Sequence, residues 1–103
     1  VISYAVERGV EVLLAGMEAP PNFGGLYVNE FRAVFYDLAA KYNIVFVPFL
    51  LEGVAGVPEL NQSDGIHPNA QGADRIAAYL WVTLEPMLAR NLDEGDAVVR
   101  VRR

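Results

Sequence analysis

The sequence predicts an α/β protein built around a parallel sheet. Two short, continuously apolar segments, residues 11–17 and 44–49, have the composition of strands that are covered on both faces. Between them, residues 26–42 repeat apolar side chains at spacings of three and four, as an amphipathic helix does. A strand, a helix and a second strand in this order form the right-handed crossover that joins neighbouring parallel strands.

The elements before and between these strands follow from local stop signals. The chain opens on a predicted helix that ends near Gly9. The first strand runs into residues 18–25, which contain two prolines and two glycines and therefore form a loop. Asn43 is placed to end the second helix. Pro48 should end the second strand, because proline has no N–H to donate to a sheet.

A long loop, residues 51–68, separates the second strand from the last helix. Its apolar side chains predict ordered packing, and they are Val54, Val57 and Leu60. The last helix should begin near Asn69, a capping residue, and carries an apolar stripe over residues 73–88. Pro86 lies within that stripe, and we expect it to kink the helix or to end it there.

We expect residues 1–92 to belong to one domain and residues 93–103 to form a tail, either an edge strand or a disordered end. Two strands that are apolar on both faces leave unpaired outer edges, so further strands should flank them. These strands would come from a preceding segment or from another chain. The chain begins inside a helix and without methionine, which also indicates a piece of a longer protein.

Composition and charge exclude several classes of function. The net charge of -5 and the pI near 4.7 leave no basic face for nucleic acid. The absence of cysteine excludes disulfides, thiolate nucleophiles and cysteine-based zinc sites. No apolar run approaches the ~18 residues of a membrane span. The loop before the last helix offers too few strong ligands for a metal ion, and the sequence predicts no cofactor.

The segment Ser-Asp-Gly-Ile-His-Pro-Asn, residues 63–69, contains the single histidine. Asp64 and His67 are three residues apart, so the carboxylate can accept one ring N–H and leave the other ring nitrogen as an acceptor. That arrangement is the orienter and base of a nucleophile relay, in a loop that follows a strand's carboxyl end. An ordinary turn with a solvated histidine is the alternative, which the local pattern taken alone favours.

Three segments carry a family resemblance. They are the Gly-Met-Glu-Ala-Pro-Pro-Asn-Phe-Gly loop at residues 16–24, Tyr-Val-Asn-Glu-Phe at residues 27–31 with the strand at 44–50, and Asp-Gly-Ile-His-Pro-Asn-Ala-Gln-Gly at residues 64–72. In this order they resemble the C-terminal half of the GDSL, or SGNH, hydrolases. The resemblance is strongest to the branch that contains thioesterase I, lysophospholipase L1 and arylesterases.

The resemblance implies a flavodoxin-like three-layer α/β/α sandwich and hydrolysis of carboxylic esters or thioesters through a serine acyl-enzyme. It implies that His67 is the general base and that Asp64 orients its imidazole. It also places Ala19, Pro20 and Phe23 in a loop that borders the substrate cleft, although plain turn chemistry explains these three residues equally well.

The family's Gly-Asp-Ser block and the blocks of its oxyanion hole are absent from these residues. Ser3 lies in the opening helix and Ser63 has no family precedent as a nucleophile. We therefore expect this chain to be inactive alone and to need the N-terminal half of the same enzyme as its partner, with a small ester or thioester as substrate.

Two alternatives remain open. The chain could be an inactive fragment or an α/β binding module that forms a homo-oligomer to cover its sheet edges. The substrate could also be an acetyl ester of a carbohydrate. Members of the family are often exported, so the resemblance favours the periplasm or secretion over the cytoplasm.

Overall fold

The computed structural model describes the backbone of residues 1–102 and the side chains of residues 1–92. The chain divides into two compact units, Val1–Glu52 and Gly53–Arg103. The elements are α1 (Ile2–Glu7), β1 (Leu13–Ala15), α2 (Gly25–Tyr42), β2 (Val45–Val47) and α3 (Ala70–Arg102), with 3₁₀ turns at Pro21–Phe23 and Pro58–Leu60. Across residues 1–102, no helix is long and apolar enough to cross a membrane.

The first unit contains the predicted strand–helix–strand crossover. β1 and β2 are parallel, and their register pairs Leu13 with Val45 and Ala15 with Val47. Each strand has three residues, fewer than the sequence predicted. β2 ends at Val47, directly before Pro48, which has no N–H to donate. The α/β class with a parallel sheet is therefore confirmed.

Gly16 directly follows β1 and connects it by hydrogen bonds to the chain at the carboxyl end of β2. Its N–H donates to the carbonyl of Val47 at 2.7 Å, and its own carbonyl accepts the N–H of Leu50 at 2.9 Å. A Cβ at this position would collide with the carbonyl oxygen of Pro48. Glycine therefore allows the chain after β1 to pass directly against the chain after β2.

Helix α2 ends at the residue that the sequence indicated. Asn43 adopts the left-handed conformation, with φ 49° and ψ 48°, and its N–H donates to helix carbonyls as a C-cap does. The ring of Tyr36 meets the ring of Phe46 edge-on at 4.8 Å, and Ala39 is buried, so this face of α2 covers β2. Aromatic contact and apolar burial thus join the helix to the sheet.

The second unit packs α3 against the long loop. Val54 is completely buried, and Leu60 and Met87 are nearly so. The predicted ordered packing of the loop is therefore confirmed.

Pro86 lies inside α3, so of the two outcomes expected of this proline, a helix end is contradicted and a kink stays a prediction. The carbonyl that it cannot bond belongs to Val82, which is 76% exposed, so water can satisfy it. The predicted tail, residues 93–103, falls largely on the end of α3, where the side chains lie outside the described residues, and its separation from the domain stays a prediction.

Candidate active site

The loop that carries the single histidine is built around a buried asparagine. Among the described side chains, Asn61 is the one buried polar residue, and its amide donates to the carbonyls of Val54 and Val57, both at 2.8 Å. The same two carbonyls also accept the N–H groups of Val57 and Leu60, at 3.1 and 3.0 Å. The Asn61 amide therefore holds the loop in one conformation around Val54, the most buried side chain described in this unit.

A short antiparallel bridge then brings the two ends of the histidine segment together. Asn61 pairs with Pro68, and the N–H of Gln62 donates to the carbonyl of His67 at 2.8 Å. The Gln62 side chain also donates to the carbonyl of Pro68 at 3.2 Å. Gly65, with φ 71°, provides the left-handed residue that reverses the chain. Residues 62–68 therefore form a closed turn.

Asn69 fixes this turn to the start of α3. Its Oδ1 accepts the N–H of Gly72 at 2.9 Å, which confirms the predicted helix cap. Its amide nitrogen donates to the carbonyls of Glu59 and Asn61, at 2.9 and 3.2 Å. A Cβ on Gly72 would collide with the carbonyl of Leu60, so this glycine lets the helix lie directly against the loop.

Asp64 and His67 meet inside the turn, as their spacing predicted. The Oδ2 atom of Asp64 lies 2.6 Å from Nδ1 of His67. The other carboxylate oxygen, Oδ1, accepts the N–H groups of Ile66 and His67 at 2.9 and 3.0 Å. These bonds lower the pKa of Asp64 from 3.8 to about 2, with the histidine side chain as the largest cause. The carboxylate is therefore ionised near neutral pH and accepts the Nδ1 proton.

This bond leaves Nε2 of His67 as the acceptor of the neutral imidazole. The His67 side chain is 71% exposed and that of Asp64 is 42% exposed, so the ring can reach a group presented from outside the turn. A cavity of about 300 Å³ lies beside the turn, lined by residues 56–58, 61–63 and Gly65. The arrangement can therefore accept a proton from a bound molecule or from a neighbouring side chain.

The sequence analysis also considered Ser63, which it rejected as a nucleophile, and predicted three cleft residues in the first unit. Ser63 borders the cavity but makes no hydrogen bond to His67 within the described part of the chain. Ala19, Pro20 and Phe23 belong to the first unit, and their role in binding a substrate stays a prediction. The sequence analysis did not predict the hydrogen bonds of the Asn61 amide. A single asparagine among the apolar residues of this loop is the signal from which a buried, hydrogen-bonded amide could be predicted.

The Asp64–His67 bond predicts an acid titration that can be measured on this chain. Because folding lowers the pKa of Asp64, the ionised carboxylate stabilises the fold above about pH 4, and this contribution is lost as the pH falls through about 2. We expect the side-chain carboxyl ¹³C shift of Asp64 to titrate with a midpoint near 2. In His67→Ala the midpoint should rise, and in the exposed control Gln71→Ala it should stay. A midpoint at or above 3.8 in the unsubstituted chain would contradict the bond.

Comparison with known proteins gives a consistent set of relatives. No family model matches the sequence. The chain is 44% identical over 81 residues to esterase TesA of Pseudomonas aeruginosa. It is 35% identical over 78 residues to thioesterase 1/protease 1/lysophospholipase L1 of Escherichia coli K12, and 32% identical over 79 residues to an arylesterase of Vibrio mimicus. It spans about two fifths of the length of each of these relatives.

Solved structures agree with these sequence matches. A crystal structure of TesA superposes with a TM-score of 0.76 at 42% identity, covering 82% of this chain and 47% of that protein. AlinE4, a SGNH-hydrolase family esterase, superposes with a TM-score of 0.59 at 38% identity, covering 84% of this chain and 46% of that protein. The chain thus has part of the fold that these esterases share, as the sequence implied.

Proposed function

We propose that this chain, which is similar to SGNH-hydrolase esterases over about four fifths of its length, supplies the aspartate and the histidine of a serine ester hydrolase. The whole enzyme would hydrolyse carboxylic esters, with acyl or aryl esters, lysophospholipids and acyl thioesters as the substrate classes. The observation that carries the proposal is the 2.6 Å contact between Asp64 Oδ2 and Nδ1 of an exposed His67.

In the proposed reaction, Nε2 of His67 removes the proton from a serine hydroxyl as that oxygen attacks the ester carbonyl. The imidazolium then gives this proton to the leaving alcohol or thiol, and an acyl-serine remains. In the second half, His67 takes a proton from the water that attacks the acyl-serine, and the imidazolium returns this proton to the serine oxygen as the acid is released. Asp64 stays ionised throughout, because it stabilises the imidazolium rather than accepting the proton.

We place the serine and the oxyanion hole outside these 103 residues, in an N-terminal half of the same domain. Ser3 and Ser63 are the only serines of this chain, and neither follows Gly-Asp. Several large apolar side chains are exposed, including Leu26 and Val34 on α2 and Val82 on α3. A partner segment that covered such side chains would gain apolar burial, which supports an N-terminal half as the partner.

Within the proposed enzyme, the loop of Ala19, Pro20 and Phe23 would border the acyl group of the substrate. Phe23 is 59% exposed and can offer an aromatic face to an acyl chain. Ala19 is buried, so it would act by setting the course of the loop. Pro20 restricts the backbone at the same place.

The same exposed apolar surface also fits a non-catalytic α/β module that forms an oligomer, the alternative class of function. A chimera separates the two. It joins the part of TesA that precedes the matched segment to this chain, and it is compared with each part alone. We expect the chimera to hydrolyse p-nitrophenyl esters and each part alone to be inactive.

The substrate class is identified by measuring how fast the same chimera hydrolyses acetylated xylan and an acyl-coenzyme A. Hydrolysis of the former in preference to p-nitrophenyl esters would favour a carbohydrate acetylesterase. A folded chimera that hydrolyses none of these compounds would contradict the proposal. Ester hydrolysis by the isolated chain that depends on His67 would contradict the external serine.

A further inference from the structure

The segment between β1 and α2 is fastened to the helix by a forked ion pair. Arg32 Nε donates to both carboxylate oxygens of Glu18, at 2.9 and 3.0 Å, and its Nη2 donates to Oε1 at 2.5 Å. The hydrogen bonds lower the pKa of Glu18 and raise the pKa of Arg32, so both groups are charged. A guanidinium that holds a carboxylate by two nitrogens fixes its orientation as well as its distance.

The ion pair holds a stretch that has little other support. Before it, Gly16 is bonded to the chain that follows β2. After it, the N–H of Phe23 donates to the carbonyl of Pro20 at 3.2 Å, and the Phe23 ring lies 5.2 Å from that of Tyr27. Within the described residues, the backbone of residues 17–19 makes no hydrogen bond. The Glu18 side chain is therefore the polar anchor of this stretch.

The residues after the anchor are stiff. Pro20 and Pro21 each fix φ, and Ala19 is buried, so the segment from Glu18 to Phe23 has few ways to relax independently. If Glu18 moves, the exposed ring of Phe23 therefore moves with it. The pair joins residues 14 positions apart and thereby fixes the loop that carries this ring relative to α2.

We infer that Glu18 and Arg32 are positioning residues that set the acyl-chain selectivity of the enzyme. The inference rests on the proposed function, in which the loop from Ala19 to Phe23 borders the acyl group. Loss of the ion pair lets the loop move and changes the space for a long acyl chain. The proton transfers are unaffected, because the hydrogen bonds of Asp64 lie within its own turn.

The kinetic test compares p-nitrophenyl acetate with p-nitrophenyl octanoate in the chimera. In Glu18→Gln and in Arg32→Gln we expect the ratio of the two kcat/KM values to change by about 10-fold, the scale of a modest change in an apolar pocket. Each variant should change KM for the octanoate and should keep the kcat of the unsubstituted chimera for the acetate. The reversed pair, Glu18→Arg with Arg32→Glu, should restore most of the ratio. Glu30→Gln and Arg75→Gln are the matched exposed controls.

A second measurement does not depend on activity. In the 103-residue chain, amide hydrogen exchange at Phe23 and Gly24 should accelerate in Glu18→Gln and stay unchanged in Glu30→Gln. An active chimera whose acyl selectivity is unchanged in both single variants would overturn the inference and leave the proposed function intact. A failure of the reversed pair to restore a changed ratio would also overturn it. A folded chimera without activity would overturn the selectivity role together with the proposed function, even with accelerated exchange.

Discussion

Replacing His67 by alanine in the chimera is expected to lower kcat for p-nitrophenyl butyrate by about 10⁴- to 10⁶-fold, since members of a catalytic triad act as a unit. The reason is the loss of the single histidine of the sequence, which takes the serine proton in the proposed reaction. Because His67 donates its own Nδ1 proton to Asp64, the ring cannot be replaced by a side chain that lacks a second nitrogen. KM should change little, because the imidazole acts mainly in the transition state.

The matched control for this variant is Gln71→Ala, an exposed position in the first turn of α3. Its kcat should stay close to that of the unsubstituted chimera. Circular dichroism of both variants tests whether the fold is kept. Near-full activity in a folded His67→Ala chimera would exclude the histidine as the base. A rate that does not fall on acidification would also count against it, because a protonated imidazole cannot accept the serine proton.

Replacing Asp64 by asparagine is expected to lower kcat by about 10⁴-fold. The asparagine Oδ1 can still accept the N–H groups of Ile66 and His67, so the turn should persist. What is lost is the negative charge that accepts the Nδ1 proton of His67 and stabilises the imidazolium. The amide of asparagine can instead donate to Nδ1, which puts the ring proton on the wrong nitrogen.

Asp74→Asn makes the same chemical change on an exposed face of α3 and serves as the control. It should leave kcat within about twofold of the unsubstituted chimera, as expected of a surface change away from the site. A loss of less than tenfold in Asp64→Asn, with the fold intact, would show that the carboxylate does not support the base. Comparison of the two aspartate variants therefore distinguishes loss of the negative charge beside His67 from loss of one negative charge elsewhere on the protein.

The parts of the fold that local chemistry determines could be predicted from the sequence. Asn43 ends α2 and Asn69 caps α3, because asparagine tolerates the left-handed conformation and offers a short acceptor. The Asp64–His67 contact is also local, since three residues around Gly65 suffice to bring the two side chains together. The crossover between β1 and β2 followed from the apolar pattern of two strands and the helix between them.

Other features depend on contacts between residues far apart in sequence. The Glu18–Arg32 pair needs the path of the loop relative to α2, which no local pattern contains. The strands are shorter than their apolar runs, because the ladder depends on which residues face each other. Pro86 did not end α3, because a free carbonyl in an exposed turn can be solvated. In the first two cases tertiary contacts decide the outcome, and in the third case exposure to solvent does.

The central claim is that Asp64 and His67 serve a serine that lies outside these residues. A fluorophosphonate tests it, because an activated serine displaces fluoride and retains the phosphorus as a mass adduct. The chimera is labelled, digested and mapped by mass spectrometry, together with its His67→Ala variant. We predict an adduct on a serine of the TesA segment, none on Ser3 or Ser63, and almost no labelling without the histidine. An adduct on Ser63, or equal labelling in His67→Ala, would contradict the claim.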